Sequence, residues 1–132
     1  MEYFDVHSHI LPGVDDGAQT VEEALEMIKT AYKEGTRSMV LTPHYEKGKN
    51  RYTKDELHNR FEELKNKVIA EYPDMKLYLG NEVLYADGIL DDLKQGMIQT
   101  MNDTKYVLVE FNIRISYSEL YQAIRKITNA RF

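Results

Sequence analysis

The chain has 132 residues, 42 % hydrophobic and 30 % charged, a globular balance with room for one domain (residues 1–132) and a real core. A formal net charge of −5 with no basic stripe argues against nucleic acid held by phosphate neutralisation. The absence of cysteine excludes disulfides, thiolate metal sites and a cysteine nucleophile.

The start, "MEYFDVHSHI", is acidic where a signal peptide is basic, and no stretch approaches the roughly 18 apolar residues of a membrane span. A soluble cytoplasmic protein is expected. "YFDVHSH" reads as a first strand, short and rich in apolar residues. After the turn "PGVDDG", Thr20 and Glu23 have capping-box spacing. The helix that follows puts Val21, Ala24, Leu25, Ile28, Ala31 and Tyr32 on one face, and Gly35 ends it.

"SMVLTPH" is the second predicted strand, ended by Pro43, and "YEKGKNRY" a polar loop. Thr53 and Glu56 repeat the capping spacing before a helix with Leu57, Phe61, Leu64 and Val68 on one face, and Pro73 lies beyond its end. "KLYLGNEVLYA" and "TKYVLVEF" are the third and fourth strands, with a short helix near "GILDDLKQG" between them. From about Ser118 to Ala130, Leu120, Ile124 and Ile127 mark a last helix. Strands alternating with helices predict a parallel sheet or barrel with crossover helices.

The polar residues fall at the predicted strand ends: His7 and His9, then His44, Glu82 and Glu110. Carboxyl ends of parallel strands share one edge, where ligands bind. Histidines two apart on a strand face the same way, so His7 and His9 can grip one ion. Imidazole and carboxylate without thiolate suit zinc, manganese or iron. Each residue has a plainer reading. An HxH pair is common, Asp15-Asp16-Gly17 is a good turn, His44 follows a proline, and Glu82 follows Gly-Asn. Glu110, inside "VLVEF", is harder to set aside, because an unpaired buried carboxylate is costly. His58 is read as a solvated mid-helix residue.

"DVHSHILPGVDDG", "TPHY", "GNEV" and "VLVEF" resemble the polymerase-and-histidinol-phosphatase (PHP) superfamily, in particular the bacterial manganese-dependent tyrosine phosphatases of capsule and exopolysaccharide operons. The resemblance runs from residue 3 to about residue 130. It implies a distorted (β/α)7 TIM-like barrel with a trinuclear metal centre, Mn2+ first, with Fe or Zn as alternatives. His7 and His9 would bind the first ion, Glu82 would bridge the first and second, Glu110 would bind the second, and Asp16 with His44 the third. Asp15 is expected in the turn or behind a ligand. No side chain is expected to act as nucleophile; a metal-activated water would attack phosphorus. The implied substrate is the phosphotyrosine tail of a cognate bacterial tyrosine kinase, so that the enzyme would regulate polysaccharide synthesis.

The resemblance stops short of the whole family pattern. Members are about twice as long, and an "AHPER"-like strand end and a later Asp-x-His have no counterpart here. The chain is expected to be the N-terminal half of such a barrel, of low or no activity alone, and to self-associate through exposed half-barrel edges. A small-molecule phosphoesterase of the histidinol-phosphate type and a non-catalytic metal-binding or assembly module are the competing readings.

Overall fold

The computed structural model describes residues 1–132. In chain order it contains β1 (Tyr3–Asp5), α1 (Val21–Lys33), β2 (Thr36–Leu41), β3 (His44–Tyr45) and α2 (Lys54–Glu71). Then come β4 (Lys76–Leu79), β5 (Glu82–Leu84), α3 (Ile89–Lys94), β6 (Leu108–Glu110) and α4 (Tyr117–Asn129). All strand pairs are parallel.

Local chemistry sets the helix starts. The Thr20 hydroxyl accepts from the Glu23 N–H at 3.1 Å and the Thr53 hydroxyl from the Glu56 N–H at 3.2 Å. Only half of each capping box forms as expected, since the Glu23 carboxylate takes the Gln19 N–H (2.8 Å) instead of that of Thr20. The complete box is at Ser116 and Glu119, which start α4 just before the expected position. Gly35, at φ +103°, ends α1 in a conformation that glycine adopts without strain.

The second expected strand stops before Pro43 as read, but a further strand, β3, begins at once beyond it. The third expected strand is broken at Gly80-Asn81, giving one sheet ordered β1-β2-β4 and another ordered β3-β5-β6. Pro43 has no N–H to donate to a ladder. Gly80 leaves room for Met101, whose sulfur would lie 2.6 Å from a Cβ there. Hydrogen bonds cross the break: the Thr42 N–H donates to Ser8 C=O (2.8 Å), the Gly80 N–H to Leu41 C=O (2.8 Å) and the Glu82 N–H to Pro43 C=O (3.0 Å). These bonds pair the Thr42, Gly80 and Glu82 N–H groups across the bend.

The main core lies on one face of the first sheet. Met39, Leu41, Leu77 and Leu79 pack against Ala24 and Ile28 of α1 and Leu57, Phe61, Leu64 and Val68 of α2. Every apolar position read for α2 is buried. A smaller core under the second sheet joins Tyr45, Val83, Ile89, Leu93 and Ile98. The opposite face of the first sheet is open, and Phe4, Val6, Val40, Tyr78, Met101 and Tyr106 line an apolar cavity of about 350 Å³ there. On α4 only Ala123 and Ile127 are buried, while Tyr117, Tyr121 and Ile124 face solvent. The exposed apolar surface expected of a half-barrel is present.

Candidate metal centre

His7 and His9 lie just past the end of β1 rather than on it. Ser8 between them is tied inward: its hydroxyl donates to Val40 C=O (2.9 Å) and its N–H to the Thr42 hydroxyl (3.1 Å). With Ser8 held on one side, the flanking imidazoles turn to the other. Their Nε2 atoms come within 3.2 Å of each other. Glu82 opens β5, pairs in register with His44 of β3, and sends Oε2 to 2.6 Å from His7 Nε2 and 3.0 Å from His9 Nε2. His44 Nδ1 stands 3.9 Å from Glu82 Oε2 and 3.8 Å from Glu110 Oε2, and its Nε2 is 3.5 Å from Asp16 Oδ1. The rings of His9 and His44 stack with centroids 4.4 Å apart.

The six residues expected as ligands are thus gathered at one place. Their ligand atoms, with those of Asp15, form three overlapping groups, each spanning no more than 4.8 Å: His7, His9, Glu82; His44, Glu82, Glu110; and His9, Asp15, Asp16, His44. The chemistry of this donor set fits a divalent cation. Two ligands about 2.1 Å from an ion and at right angles lie about 3 Å apart, which matches the His7–His9 and His9–Glu82 separations. The His7–Glu82 pair is closer still, at hydrogen-bonding distance.

Asp15 both closes the turn and reaches His9. Its Oδ1 accepts from the Gly17 N–H at 2.9 Å, closing the turn, and its Oδ2 meets His9 Nδ1 at 2.9 Å and the His44 N–H at 3.0 Å. A hydrogen on His9 Nδ1 leaves the Nε2 lone pair facing Glu82 and His7, the tautomer a metal ligand needs. Burial opposes the charge on Asp15, but the hydrogen bonds from Gly17, His9 and His44 outweigh it and hold its carboxyl below the usual range. Burial likewise opposes protonation of His9, but its hydrogen bond to Asp15 and the nearby Asp15 and Glu82 charges raise its pKa.

The turn is anchored by apolar residues. Ile10, Leu11 and Val14 bury into the main core, and Arg60 donates to Gly13 C=O at 2.9 Å. Gly17 passes so close to His9 that a Cβ would sit 2.1 Å from the His9 carbonyl oxygen.

Two expectations need correction. Glu110 is exposed at the end of β6, its side chain 46 % accessible, so avoidance of a buried charge does not explain its presence. Its strand end, rather than its burial, brings it to the cluster. His58 is half-buried, and its Nε2 bonds Gln99 Oε1 at 2.7 Å because α2 packs against the segment after α3.

The sequence reading missed the network behind His44. Tyr52 donates its hydroxyl to His44 C=O (2.6 Å), and Asn81 Nδ2 donates to Pro43 C=O (2.9 Å) and to the Tyr52 hydroxyl oxygen (3.0 Å). Gln99 closes it, its N–H donating to Asn81 Oδ1 at 2.8 Å. The signal in the sequence was the Asn inside "GNEV", a polar side chain beside Glu82 in a run read as a strand.

Fold and cluster define a parallel α/β half-barrel with imidazoles and carboxylates collected at the carboxyl edge. The chain belongs to the family described as "Capsular polysaccharide synthesis, CpsB/CapC", which matches residues 3–132. It is 33 % identical over 123 residues to the tyrosine-protein phosphatase CpsB of Streptococcus agalactiae, covering 93 % of this chain and 51 % of that one. The tyrosine-protein phosphatase YwqE of Bacillus subtilis is 32 % identical over 107 residues, 81 % of this chain and 42 % of that one. Among solved structures, one from a study of YwqE of Bacillus subtilis and CpsB of Streptococcus pneumoniae, described there as metal-dependent tyrosine phosphatases, superposes with a TM-score of 0.87 at 27 % identity. That match covers 98 % of this chain and 53 % of the solved chain. The chain spans about half the length of the relatives it matches.

Proposed function

We propose that this chain contributes the first half of a metal-dependent phosphatase centre acting on phosphotyrosine, with the tail of a cognate bacterial tyrosine kinase as its protein substrate and capsule or exopolysaccharide synthesis as the process it regulates. The observation that carries this is the convergence of His7, His9 and Glu82 around one point, with His9 oriented by Asp15. His7, His9 and Glu82 would hold one divalent ion, Mn2+ in the first instance with Fe or Zn as substitutes. Glu82 and Glu110 would hold a second, and Asp16 and His44 a third. The grouping of His44 with Glu82 and Glu110 lets His44 serve either of the last two.

When bound, such ions supply positive charge for phosphoryl oxygens and make water acidic enough to act as a nucleophile near neutral pH. The chain's own residues prepare the site. Asp15 fixes the His9 tautomer and the position of the His44 backbone. Tyr52 and Asn81 hold the Pro43-His44 carbonyls, so the imidazole is presented from a rigid base. Buried Glu82 keeps a carboxylate between the two histidines and His44. Phenolate is a good leaving group, so little acid assistance from a side chain is required.

No helix is long and apolar enough to cross a membrane. The open apolar face beside Phe4, Val6 and Tyr78 supports self-association, with a second copy packing against it.

The deciding experiment measures Mn2+ uptake and then hydrolysis of a phosphotyrosine peptide against histidinol phosphate. Saturable uptake that is lost in the His7→Ala, His9→Ala double variant, with slow hydrolysis selective for the peptide, is expected. A parent chain that takes up no divalent ion overturns the reading, and preference for histidinol phosphate moves it to a small-molecule phosphoesterase.

A further inference from the structure

Beside the cluster lies a cavity of about 390 Å³, lined by Asp16, His44 and Glu110 of the cluster and by Lys49, Asn50 and Arg51 of the loop between β3 and α2. Its volume is within the range of small-ligand sites. Four carboxylates line it, those of Asp15, Asp16, Glu46 and Glu110, and only two cations, Lys49 and Arg51. An anionic ester approaching such a wall meets repulsion everywhere except at those two side chains and at any bound cation.

The loop carrying them is built, not loose. The Lys49 N–H donates to Glu46 C=O (2.9 Å), the Glu46 N–H donates to Asn50 Oδ1 (2.8 Å), and Gly48 takes φ +81° to close the turn. At its base Lys47 is tied to the buried Asp92 carboxylate at 2.8 Å, and on the far side Tyr52 is bound to the His44 carbonyl. The loop therefore moves with the ligand-bearing strand β3. Of the three cations in "EKGKNR", Lys47 is committed to Asp92, and Lys49 has only an exposed pairing with Glu46 at 3.2 Å. Arg51 is exposed at the mouth of the cavity. Exposed pairs of this kind are weak and exchange readily for a better anion.

We propose that Lys49 and Arg51 form an anion-binding rim that receives the phosphoryl group of an aryl phosphate ester and directs it toward His44, Asp16 and Glu110. This rests on the phosphatase reading for the class of substrate, but the rim acts through its own charges. Arginine offers a fork of N–H groups matched to phosphate oxygens, and lysine a mobile point charge.

The test uses phenylphosphonate, an aryl phosphate mimic whose C–P bond is not hydrolysed, titrated calorimetrically into the whole chain with and without Mn2+. The probe should bind in both forms, more weakly without metal, and added salt should weaken it. In the Lys49→Gln, Arg51→Gln double variant affinity should fall about tenfold or more in both forms, with Mn2+ stoichiometry unchanged. An unphosphorylated acidic peptide should compete poorly. Unchanged affinity in the double variant, no binding by the parent in either form, or equal competition by the acidic peptide would each overturn the rim. Loss of Mn2+ uptake by the parent, read separately by metal analysis, strikes the metal-centre reading and leaves the metal-free titration to decide the rim.

Discussion

His9 Nδ1 and Asp15 Oδ2 are 2.9 Å apart across a turn whose three buried apolar residues, Ile10, Leu11 and Val14, hold it against the helical core. The same carboxylate also receives the Gly17 and His44 N–H groups. One side chain thereby couples the first strand end, the Asp-Asp-Gly turn and the start of β3. Replacing Asp15 with alanine frees the His9 ring to rotate and to change tautomer. Partners of this kind are worth about 10- to 100-fold in metal affinity. Mn2+ affinity of Asp15→Ala should drop by that factor, while circular dichroism shows the fold retained. Undiminished affinity in a competition titration would mean that Asp15 only shapes the turn.

Glu82 and Glu110 should respond differently to loss of charge. Glu82 is buried, and its Oε2 lies within 4 Å of nitrogen atoms from three histidines. Of the histidines Glu110 approaches only His44, at 3.8 Å, and its side chain is about half exposed. Glu82→Gln should therefore weaken ion binding by more than about 100-fold, beyond the range typical of supporting groups, and Glu110→Gln by much less. Mass-spectrometric metal analysis after dialysis at graded Mn2+ concentrations distinguishes them. Equal losses would show that Glu82 does not serve two positions.

At Gly17 the constraint is a close approach of backbone to backbone, not a left-handed conformation. A methyl group there would overlap the His9 carbonyl oxygen at 2.1 Å, so turn and strand end must separate. Overpacking of this kind costs about 1–3 kcal/mol. Gly17→Ala should lower the thermal midpoint and, because His9 moves, weaken Mn2+ binding as well. Gly48→Ala, which meets no neighbouring atom but strains the backbone at φ +81°, should cost stability without moving His9. If Gly17→Ala binds Mn2+ as the parent does, the turn can yield without moving His9.

Much of this could be read from the residues, because strand ends and helix caps are local chemistry. His7, His9, His44, Glu82 and Glu110 fell at apolar-run ends, and parallel connectivity brought those ends together without any knowledge of distances. The bend in the sheet was less visible. Pro43 ends "SMVLTPH" as expected, but nothing local shows that His44-Tyr45 begin a strand of a different sheet, and "KLYLGNEVL" reads as a continuous run although it breaks at Gly80. The burial of Asn81 and Gln99 depends on packing between segments distant in sequence, which no local pattern records. The same holds for α4. Its periodicity predicts an apolar face, but only a neighbouring element could bury it, and Tyr117 and Tyr121 remain exposed.

Acid should unfold the chain partly through Asp92. Burial opposes its ionisation, but hydrogen bonds from Lys47 (2.8 Å) and from the Tyr45 hydroxyl (2.7 Å) outweigh burial and depress its pKa below the ordinary 3.8. A depressed folded-state pKa means that the contribution is fully present above the unfolded value of 3.8. It is lost as pH falls through the lower folded value. Asp92→Asn should be less stable than the parent at neutral pH, and the difference should shrink as pH drops below that window. Parallel urea titrations of both proteins from pH 7 to pH 2.5 measure it. A constant difference would show that the ion pair with Lys47 contributes nothing to folding.

Association is predicted from the open side of the first sheet. Phe4 stacks on Tyr78 at 6.0 Å with nearly parallel rings, yet Phe4 and Val6 are each more than half exposed. β1 is also an edge strand whose outer backbone groups are unpaired by any neighbour in the sheet. A second copy laid against this face would cover both the aromatic pair and the edge. Sedimentation velocity should show a dimer that dissociates on dilution. Phe4→Lys with Val6→Lys, which leaves the metal cluster and the helix-packed core untouched, should shift the protein to monomer without loss of Mn2+ binding. A parent chain that sediments as a monomer at all concentrations removes the second copy as the occupant of this face.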